Sequence, residues 1–555
     1  YLCTMVETNA PIHTLILWAW RQARGSHLRI CIACFLGIVR VAMALTFVWV
    51  SKALVDSATG DAPADRLVPL CIALGALMLS EMGISMAISY LSNQTEARMR
   101  NRIRAAIYSH VLGSKRAEYD RMHSGDLLNR LTEDVRVIVD VVCARLPQLV
   151  VLVVQLIGAL VFLYFMSPVL ALCILCILPF FLLLSKLYIK PMRTLTANIR
   201  KQESDIQSNM QEGIQHQTVL QTLESVGYMI GNLNGLQGSL YNQTMRRTRF
   251  SLFSRGMVNL GFIGGYLTAF IWSIWHLHTG VITYGTMTAF LQLVARIQNP
   301  MSSLTQQIPA FVHATSSIDR LIELEKIPAE EKGDDVMMQA PTGIRITDVS
   351  YQYYDSTRLV IKDFSHDFKP GSKTVIMGET GIGKSTIIRL ILALLVPTKG
   401  KIEIYDKRRS VTVSAATRCN MVYVPQGNSL LEGTIRQNLL LGNPDATDAE
   451  LREALHTAVA DFVYELPDGL DTPCGELGAG LSEGQAQRIA IARALLRNGN
   501  VLLLDEFNSS LDEATAATLM ERLYSQKADS TIIFISHRPD VMQYCDNILR
   551  LNEME

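Results

Sequence analysis

The segment at residues 378–386 reads Gly-Glu-Thr-Gly-Ile-Gly-Lys-Ser-Thr, and it constrains the fold more than any other part of the chain. It matches the pattern G-x-x-x-x-G-K-[ST], a loop whose backbone N–H groups surround phosphate oxygens. The apolar run at 374–377 predicts a buried strand before the loop, and residues 387–395 predict a helix after it. Because a helix N-terminus attracts anions, this arrangement predicts an α/β nucleotide-binding unit.

The same loop supplies most of the predicted ATP contacts. Lys384 would place a point charge on the β- and γ-phosphates, and the Ser385 hydroxyl would bind Mg²⁺. A glycine-rich turn without function is the alternative, and the Lys-Ser-Thr ending together with both flanks disfavours it. The predicted ATP contacts of the loop are Gly378, Glu379, Thr380, Gly381, Ile382, Gly383, Lys384, Ser385 and Thr386.

A second apolar run, at 501–504, predicts a strand that ends in Asp505 and Glu506. An acid at a strand end beside bound phosphate can reach Mg²⁺ through water, which is the role predicted for Asp505. Glu506 would polarise the water that attacks the γ-phosphorus. Two solvated acids without a function are the alternative, which the neighbouring phosphate loop disfavours.

The run Leu481-Ser482-Glu483-Gly484-Gln485 resembles the L-S-G-G-Q signature of the ABC (ATP-binding cassette) family. The resemblance implies that Ser482, Gly484 and Gln485 bind nucleotide, and that they complete the site of a second cassette across a dimer interface. The family's third signature residue is usually glycine, and here it is Glu483. A carboxylate aimed at the phosphates would repel them, so Glu483 is expected to point outward and leave activity intact.

Further positions match the family one by one. Gln426, after the run at 422–425, resembles the glutamine that senses Mg²⁺, so the predicted metal contacts are Ser385, Gln426 and Asp505. Tyr353 resembles the aromatic residue that stacks on adenine. His537 resembles the switch histidine near the γ-phosphate and joins Glu506 as a predicted catalytic residue. Residues 509–512 resemble the family's D-loop.

The first half of the chain has a different composition. Hydrophobic residues make up 49% of the whole chain, and the long apolar stretches all lie before about residue 330. Each is roughly 20 residues or longer, enough to cross a hydrocarbon core about 30 Å thick. The predicted fold is therefore a membrane α-helical six-span domain at 1–327, a linker at 328–342, and an α/β P-loop ATP-binding cassette at 343–555. The six predicted spans lie near 28–55, 66–92, 143–166, 168–189, 252–277 and 284–312.

Charge placement predicts the orientation. The segments at 96–145 and 186–255 are rich in arginine and lysine, whereas the connections near 57–65, 166–168 and 277–284 contain neither. Positive residues stay on the cytoplasmic side, so both long polar segments, both termini and the cassette are expected there, at an inner or plasma membrane. Trp18, Trp20 and the arginines after them suit an interfacial elbow helix.

The layout resembles the exporter-type (type IV) ABC half-transporter, in which each long cytoplasmic extension ends in a short coupling helix. The stretch at 123–135 strongly resembles the region after the first tip, and 221–226 matches the second loosely. The resemblance implies a second half-transporter as partner, with a homodimer favoured over a heterodimer. Membrane lipids and an amphipathic substrate are further expected partners, and nucleic acid is not. The ten cysteines are interpreted as small apolar residues.

The predicted function is ATP-driven export of an amphipathic, lipid-like, drug-like or peptide substrate by alternating access. Two alternatives stay open, an importer that uses the exporter fold and an ATP-gated sensor that transports nothing. Arg40 and Glu81 lie within predicted spans, where ionisable groups are costly and often mark a pathway. A structural pair of charges within or between helices, or a misplaced span boundary, is the alternative interpretation of these two residues.

Overall fold

The structure is a computed structural model that describes residues 12–115, 124–176, 189–331, 333–353, 358–379, 381–475, 480–507 and 510–551. The chain divides into two compact units. The first unit comprises Tyr1–Tyr108 and Ser124–Glu325, and the second comprises Ser109–His123 and Lys326–Glu555. A helical membrane unit joined to an α/β nucleotide-binding unit is the fold class that the sequence predicts.

The first unit is built of helices, several of them far longer than a membrane is thick. Two π-helical turns, Arg130–Asp134 and Val141–Arg145, join α4, α5 and α6 into one continuous rod. Residues 168–176 are helical as well. The α-helices are α1 (Ile12–Gln22), α2 (His27–Thr59), α3 (Leu67–Leu112), α4 (Ser124–Asn129), α5 (Val135–Asp140), α6 (Leu146–Met166), α7 (Ile189–Gln215), α8 (Gln217–Thr222), α9 (Val226–His278) and α10 (Tyr284–Glu325).

Four helices in the described part of the chain are long and apolar enough to cross a membrane, namely His27–Thr59, Ala64–Leu112, Gly125–Met166 and Val226–His278. They contain four of the six predicted spans. The predicted span at 168–189 lies partly outside the described residues. The one at 284–312 falls in α10, which contains Pro300 and Pro309 and is not one of those four. The count of six spans therefore stays a prediction.

Helices α2, α6 and α10 pack around the core of the first unit. Val48, Leu163 and Leu293 are fully buried at this junction. Gly37 lies so close to α6 that a Cβ atom at this position would stand 2.2 Å from Cγ2 of Val151. A side chain at residue 37 would therefore push α2 away from α6. At the other end of α10, the indole of Trp18 donates a 2.7 Å hydrogen bond to Oε2 of Glu325, which fixes the predicted elbow helix.

A buried ion pair ties the rod of α4–α6 to α10. The Asp134 side chain is only 1% exposed and accepts hydrogen bonds from Ser317 Oγ at 2.8 Å and from Arg320 Nε at 2.8 Å. A charge buried to this degree is stable only with its partners, because a carboxylate in a low-dielectric interior is costly.

We expect Asp134→Ala to lower the free energy of unfolding by about 2–3 kcal/mol, near the lower end for a broken buried pair because Arg320 keeps access to water. Thermal unfolding of the purified protein measures this loss. Glu133→Ala is the matched control, since its pair with Arg136 is exposed and solvent screening should leave it with a much smaller contribution. Equal losses in the two variants would contradict the assignment.

The second unit contains a parallel sheet, an antiparallel sheet and a two-stranded ribbon. The parallel sheet has the order β11-β3-β10-β9-β6, the antiparallel sheet β2-β1-β4-β5, and the ribbon β7-β8. The strands are β1 (Gly343–Tyr351), β2 (Ile361–Phe368), β3 (Lys373–Met377), β4 (Lys399–Tyr405), β5 (Ser410–Thr412), β6 (Met421–Val424), β7 (Gly433–Thr434), β8 (Pro473–Cys474), β9 (Val501–Asp505), β10 (Thr531–Ile535) and β11 (Asn547–Arg550).

Five α-helices cover the sheets of this unit. They are α11 (Lys384–Ile391), α12 (Ile435–Leu440), α13 (Asp448–Thr457), α14 (Glu483–Leu495) and α15 (Glu513–Gln526). Strands β9 and β10 are buried along their whole length, as expected for the centre of a parallel sheet covered on both faces. One core lies between the parallel sheet and α12–α15, and a second lies between the two sheets and α11.

The predicted linker at 328–342 is hydrogen-bonded to the rest of the second unit. The backbone N–H of Glu330 donates to the carbonyl of Gly113 at 2.8 Å, and the Glu330 carboxylate pairs with Arg418. Further along, the N–H of Met338 donates to the Asn420 side chain at 2.7 Å. The boundaries drawn from the sequence, at 327 and 342, stay predictions.

Candidate functional site

The carboxyl ends of four neighbouring strands meet at one edge of the parallel sheet, and each is followed by predicted site residues. The phosphate loop follows β3, His537 follows β10, Asp505 ends β9, and Gln426 follows β6. Ligands of open α/β sheets bind outside this edge, because the loops and helix N-termini converge there. Sheet topology thus brings together residues that are more than 150 positions apart in sequence.

The phosphate loop leads directly into α11. Gly383 has a φ angle of 104°, in the left-handed region that favours glycine, and a Cβ there would stand 2.9 Å from Cδ1 of Ile361. Lys384 is the first residue of α11 and is only 6% exposed. Its ammonium donates to the carbonyls of Gly378 at 2.7 Å and Glu379 at 3.0 Å. Thr380 lies outside the described residues.

Burial lowers the pKa of Lys384, and the carboxylates of Glu506 and Asp505 act in the opposite direction. A buried cation held by two carbonyl dipoles and facing two acids is poised to exchange those contacts for phosphate oxygens. The arrangement therefore fits an anion bound over the N-terminus of α11.

Asp505 provides a test of whether the site fits Mg²⁺. Its carboxylate is almost fully buried, and burial raises its pKa, while a hydrogen bond from Ser385 opposes that rise. Within the described residues, its Oδ1 atom is buried and accepts no hydrogen bond. Mg²⁺ prefers carboxylate and hydroxyl oxygens, so an available carboxylate oxygen beside the Ser385 hydroxyl fits this cation.

Glu506 is held by three side chains. Gln426 Nε2 donates to its Oε2 at 2.6 Å, His537 Nε2 lies 3.4 Å from its Oε1, and Gln487 Nε2 donates to its backbone carbonyl at 3.2 Å. Nε2 of His537 also lies 3.0 Å from the Lys384 ammonium. The structure therefore brings the two predicted catalytic residues into contact with each other, and Glu506 also contacts Gln426, the predicted Mg²⁺ sensor.

The backbone at Glu506 adopts an unusual conformation, with a φ angle of 46°. Residues with a side chain rarely occupy this left-handed region, and such strain concentrates at functional sites, where it aims a side chain. The N–H of Glu506 donates to the carbonyl of Ile535 at 3.0 Å, which helps to hold this conformation.

Tyr353 lies beside the phosphate loop. Its hydroxyl is 3.2 Å from Oγ1 of Thr386, and its ring meets that of Tyr351 edge-on, with 5.0 Å between ring centroids. The tyrosine is therefore next to the first turn of α11. Stacking on adenine stays a prediction.

The signature forms the N-terminus of α14. The Ser482 hydroxyl accepts a hydrogen bond from the N–H of Gln485 at 3.2 Å, and the Gln485 side chain accepts one from the N–H of Ser482 at 2.9 Å. This reciprocal capping fixes the first turn. A Cβ at Gly484 would stand 2.6 Å from the carbonyl of Ser510 in the predicted D-loop, so a side chain there would displace that loop.

Glu483 is the first residue of α14, and its side chain is exposed; that it points away from bound phosphate stays a prediction. A carboxylate in the first turn of a helix is favoured by the helix dipole. The residue thus has a local structural reason to be tolerated in the signature.

We expect Glu483→Gly to hydrolyse ATP at or above the wild-type rate, because the change removes a negative charge near the predicted phosphate position. Steady-state ATPase assays measure this, and Glu483→Gln separates loss of charge from gain of backbone freedom. A collapse in both variants would mean that the Glu483 carboxylate makes a required contact.

Two residues of the site region are absent from the sequence prediction. Gln487 is 1% exposed and supports the Glu506 backbone. Arg538 donates to the carbonyl of Leu511 at 2.9 Å and so links the segment after β10 to the predicted D-loop. The position of Gln487 on the apolar face of a predicted helix could have indicated a buried polar contact. No local sequence pattern indicates a role for Arg538.

The first unit has a polar feature of its own within the predicted spans. Arg40 and Glu81 line the same cavity of about 640 Å³, together with Met78 and Met82. Glu81 also attracts Arg296 on α10, a residue that the sequence prediction omits. Arg40 and Glu81, which were singled out from the sequence, thus line the same cavity.

The nine cysteines of the described part of the chain are free thiols. Interpreting them all as small apolar residues overlooks two pairs with C-x-x-C spacing, Cys31 with Cys34 and Cys173 with Cys176. Within the described residues, no cluster of three or more His, Cys, Asp or Glu side chains could hold a metal ion. The predicted Mg²⁺ contacts include a single acidic residue, Asp505, and the other two are Ser385 and Gln426.

Comparison with known proteins covers both units. The model of the ABC transporter transmembrane region matches residues 30–301, and the ABC transporter model matches residues 361–509. The second match includes the phosphate loop, the signature and Glu506. Tyr353 and His537 lie outside it.

Two relatives match over most of their length. One, from Bacillus subtilis (strain 168), is named as a multidrug resistance ABC transporter ATP-binding/permease protein and is 28% identical over 498 residues, which are 88% of this chain and 73% of the relative. The other, from Staphylococcus aureus (strain NCTC 8325 / PS 47), is named as a multidrug export ATP-binding/permease protein and is 27% identical over 496 residues, or 87% of this chain and 84% of the relative.

Proposed function

This chain belongs to the ABC transporter superfamily, and from that premise we propose that it exports an amphipathic substrate across the cytoplasmic membrane. ATP hydrolysis coupled to transport follows from the family, and the direction and the cargo are the proposal. The observation that carries it is the convergence of the phosphate loop, Asp505, Glu506 and His537 at one sheet edge in a chain whose other unit has membrane-length helices.

The geometry supports the proposed catalytic roles. Lys384 would exchange its carbonyl contacts for phosphate oxygens, and Ser385 and Asp505 would hold Mg²⁺ with Gln426 nearby. The Mg²⁺ ion, when bound, would neutralise phosphate charge during transfer. Glu506 is released from Gln426 when nucleotide binds, and its carboxylate then orients and deprotonates the attacking water.

Assembly as a homodimer completes this mechanism. Within the described residues of one chain, Ser482 is hydrogen-bonded to Gln485, in the signature itself. We infer that Ser482 and Gly484 of one chain close over nucleotide held by the partner. The exposed first turn of α14 is available for such a contact.

The orientation of the exporter is part of the same proposal. The preference of arginine-rich segments for the cytoplasmic side supports a cassette and chain ends on the side where ATP is present. Helix α8, six residues long between the long helices α7 and α9, sits close to the second predicted coupling tip. His123, in the region after the first predicted tip, lies outside the described residues.

Transport direction tests the proposal. The protein is reconstituted in liposomes, and ATP is added outside, where it reaches only outward-facing cassettes. Fluorescent lipids, peptides and cationic drugs are supplied on the same side as ATP. We expect accumulation of at least one of them in the lumen or inner leaflet, and none with Glu506→Gln. Movement of probes preloaded in the lumen toward the ATP side would instead support the importer, and ATP hydrolysis without movement of any probe would support the sensor.

A further inference from the structure

A cavity of about 840 Å³ lies between α7 and α9, close to where both helices meet predicted membrane spans. We call it the α7–α9 cavity. The side chains that matter below are Asn198 and Leu195 on α7, and Asn242, Arg246, Arg249 and Phe253 on α9.

The two helices that form the cavity carry many positively charged residues near it. Helix α9 contains four arginines and no aspartate or glutamate in its 53 residues. On α7, residues 189–201 contain two lysines and two arginines, and the first acid is Glu203. The charge on this end of the helix pair is therefore not balanced by carboxylates within the two helices.

Topology alone does not explain how the charges are placed. The preference for positive residues on the cytoplasmic side accounts for arginines in this segment, but it does not select a helix face. Arg246 and Arg249 are three residues apart and so share a face, and both line the cavity, whereas Arg247 does not. Two amide side chains, Asn198 and Asn242, converge on the same space and can donate hydrogen bonds.

The other wall of the cavity is apolar. Phe253 lies in the apolar stretch of α9 that begins near residue 252, and Leu195 lines the cavity from α7. Arg249 is four residues before Phe253, or about 6 Å along the helix axis. A molecule in the cavity therefore meets cations and amides at one end and an aromatic and aliphatic surface at the membrane end.

We propose that the α7–α9 cavity binds an anionic lipid-like amphipath, with a phosphate-bearing head on Arg246 and Arg249 and its hydrocarbon part against Phe253 and Leu195. Arginine suits this head group because its planar fork donates two hydrogen bonds to one phosphate. The inference rests on the proposed function and narrows its cargo from amphipathic molecules in general to anionic ones.

Lipid binding without ATP tests the site. The purified full-length protein is titrated with fluorescent phosphatidylglycerol in neutral detergent, with phosphatidylcholine as the uncharged comparison. We expect Arg246→Gln or Arg249→Gln to weaken phosphatidylglycerol binding about fivefold, and the double variant roughly twentyfold. Phosphatidylcholine binding should not change, and the preference for phosphatidylglycerol should shrink as salt rises.

Arg247→Gln is the matched control, since it removes the same charge from the same helix outside the cavity. An equal loss in Arg247→Gln would overturn the site in favour of a general surface charge. Inorganic phosphate that displaced the lipid completely at millimolar concentration would overturn the lipid-like part of the proposal. Dissociation of the assembly in the double variant, with lipid affinity unchanged, would show that a second copy covers the cavity instead.

The site and the transport function can fail separately. If phosphatidylglycerol binds as expected but no probe moves in the liposome assay, the exporter proposal fails and the lipid site stands. If neutral or cationic probes are exported and phosphatidylglycerol binding ignores both arginines, the anionic cargo fails and the exporter proposal stands.

Discussion

Glu506→Gln is expected to bind ATP normally and to hydrolyse it about 10²–10⁴-fold more slowly than the wild type. The amide has the shape of the carboxylate but cannot take a proton from water. In the wild type, the Gln426 amide donates a hydrogen bond to the Glu506 carboxylate at 2.6 Å. This contact can persist in the variant, because the glutamine introduced at position 506 keeps one carbonyl oxygen as the acceptor. ATPase assays and a nucleotide-binding titration on the same preparation measure the two quantities.

The control for this variant is Glu521→Gln, which makes the same change at an exposed position on α15. It should retain the wild-type rate. A turnover in Glu506→Gln within a few-fold of wild type would mean that another group activates the water, and His537, which lies 3.4 Å from Glu506, would be the next candidate.

Lys384→Ala should instead weaken ATP binding itself, by roughly 10- to 100-fold, the value of a hydrogen bond to a charged group that is lost. The ammonium is buried at the start of α11 and faces the place of the phosphates, so no neighbouring side chain can replace it. Equilibrium titration with a fluorescent ATP analogue measures the affinity.

Lys384 also donates to the carbonyls of Gly378 and Glu379, so its removal could loosen the loop. Thermal unfolding of the unliganded protein separates that effect from loss of the phosphate contact. Lys401→Ala, at an exposed ion pair on β4, is the matched control and should bind ATP as the wild type does. Unchanged affinity in Lys384→Ala would refute the phosphate-loop assignment.

Local sequence patterns were sufficient for the elements that carry the site. The apolar run at 374–377 corresponds to β3, which begins one residue earlier, at Lys373. The helix predicted at 387–395 begins earlier and ends earlier, at Lys384–Ile391, because the last loop residues already form its first turn. Short apolar runs bounded by glycine are strong signals of this kind.

Contacts between distant segments could not be predicted in the same way. The order of strands in the parallel sheet includes two pairings over more than 100 residues, those of β3 with β10 and with β11, and no local pattern encodes it. The hydrogen bond from Gln426 to Glu506 joins residues 80 positions apart. The family resemblance supplied the roles of Gln426 and His537, but it did not predict that both contact Glu506 in one chain.

The membrane unit shows where hydropathy stops being informative. Helix α10 contains two prolines and continues to Glu325, well beyond the apolar stretch predicted at 284–312. Arg296 lies inside that stretch, among apolar neighbours that hide it from a window average. Its attraction to Glu81 arises only once α3 and α10 are placed in space.

The central claim is that two chains complete each ATP site, and inter-chain cross-linking tests it most directly. Two differently tagged, cysteine-depleted forms of Glu506→Gln are co-assembled, one with Ser482→Cys and the other with Ser385→Cys. A spacer reagent long enough to span bound phosphate can then join them only between chains. ATP binding to the mixed assembly is confirmed in parallel, since either serine change can weaken it.

With ATP bound, hydrolysis is blocked and each nucleotide links two chains, so closure should persist. We predict a severalfold higher yield of the cross-linked pair with ATP than without nucleotide, and no such rise when Lys384→Ala is added to both chains. An unchanged yield in an assembly that demonstrably binds ATP would contradict the trans-acting signature and the alternating-access mechanism that depends on it.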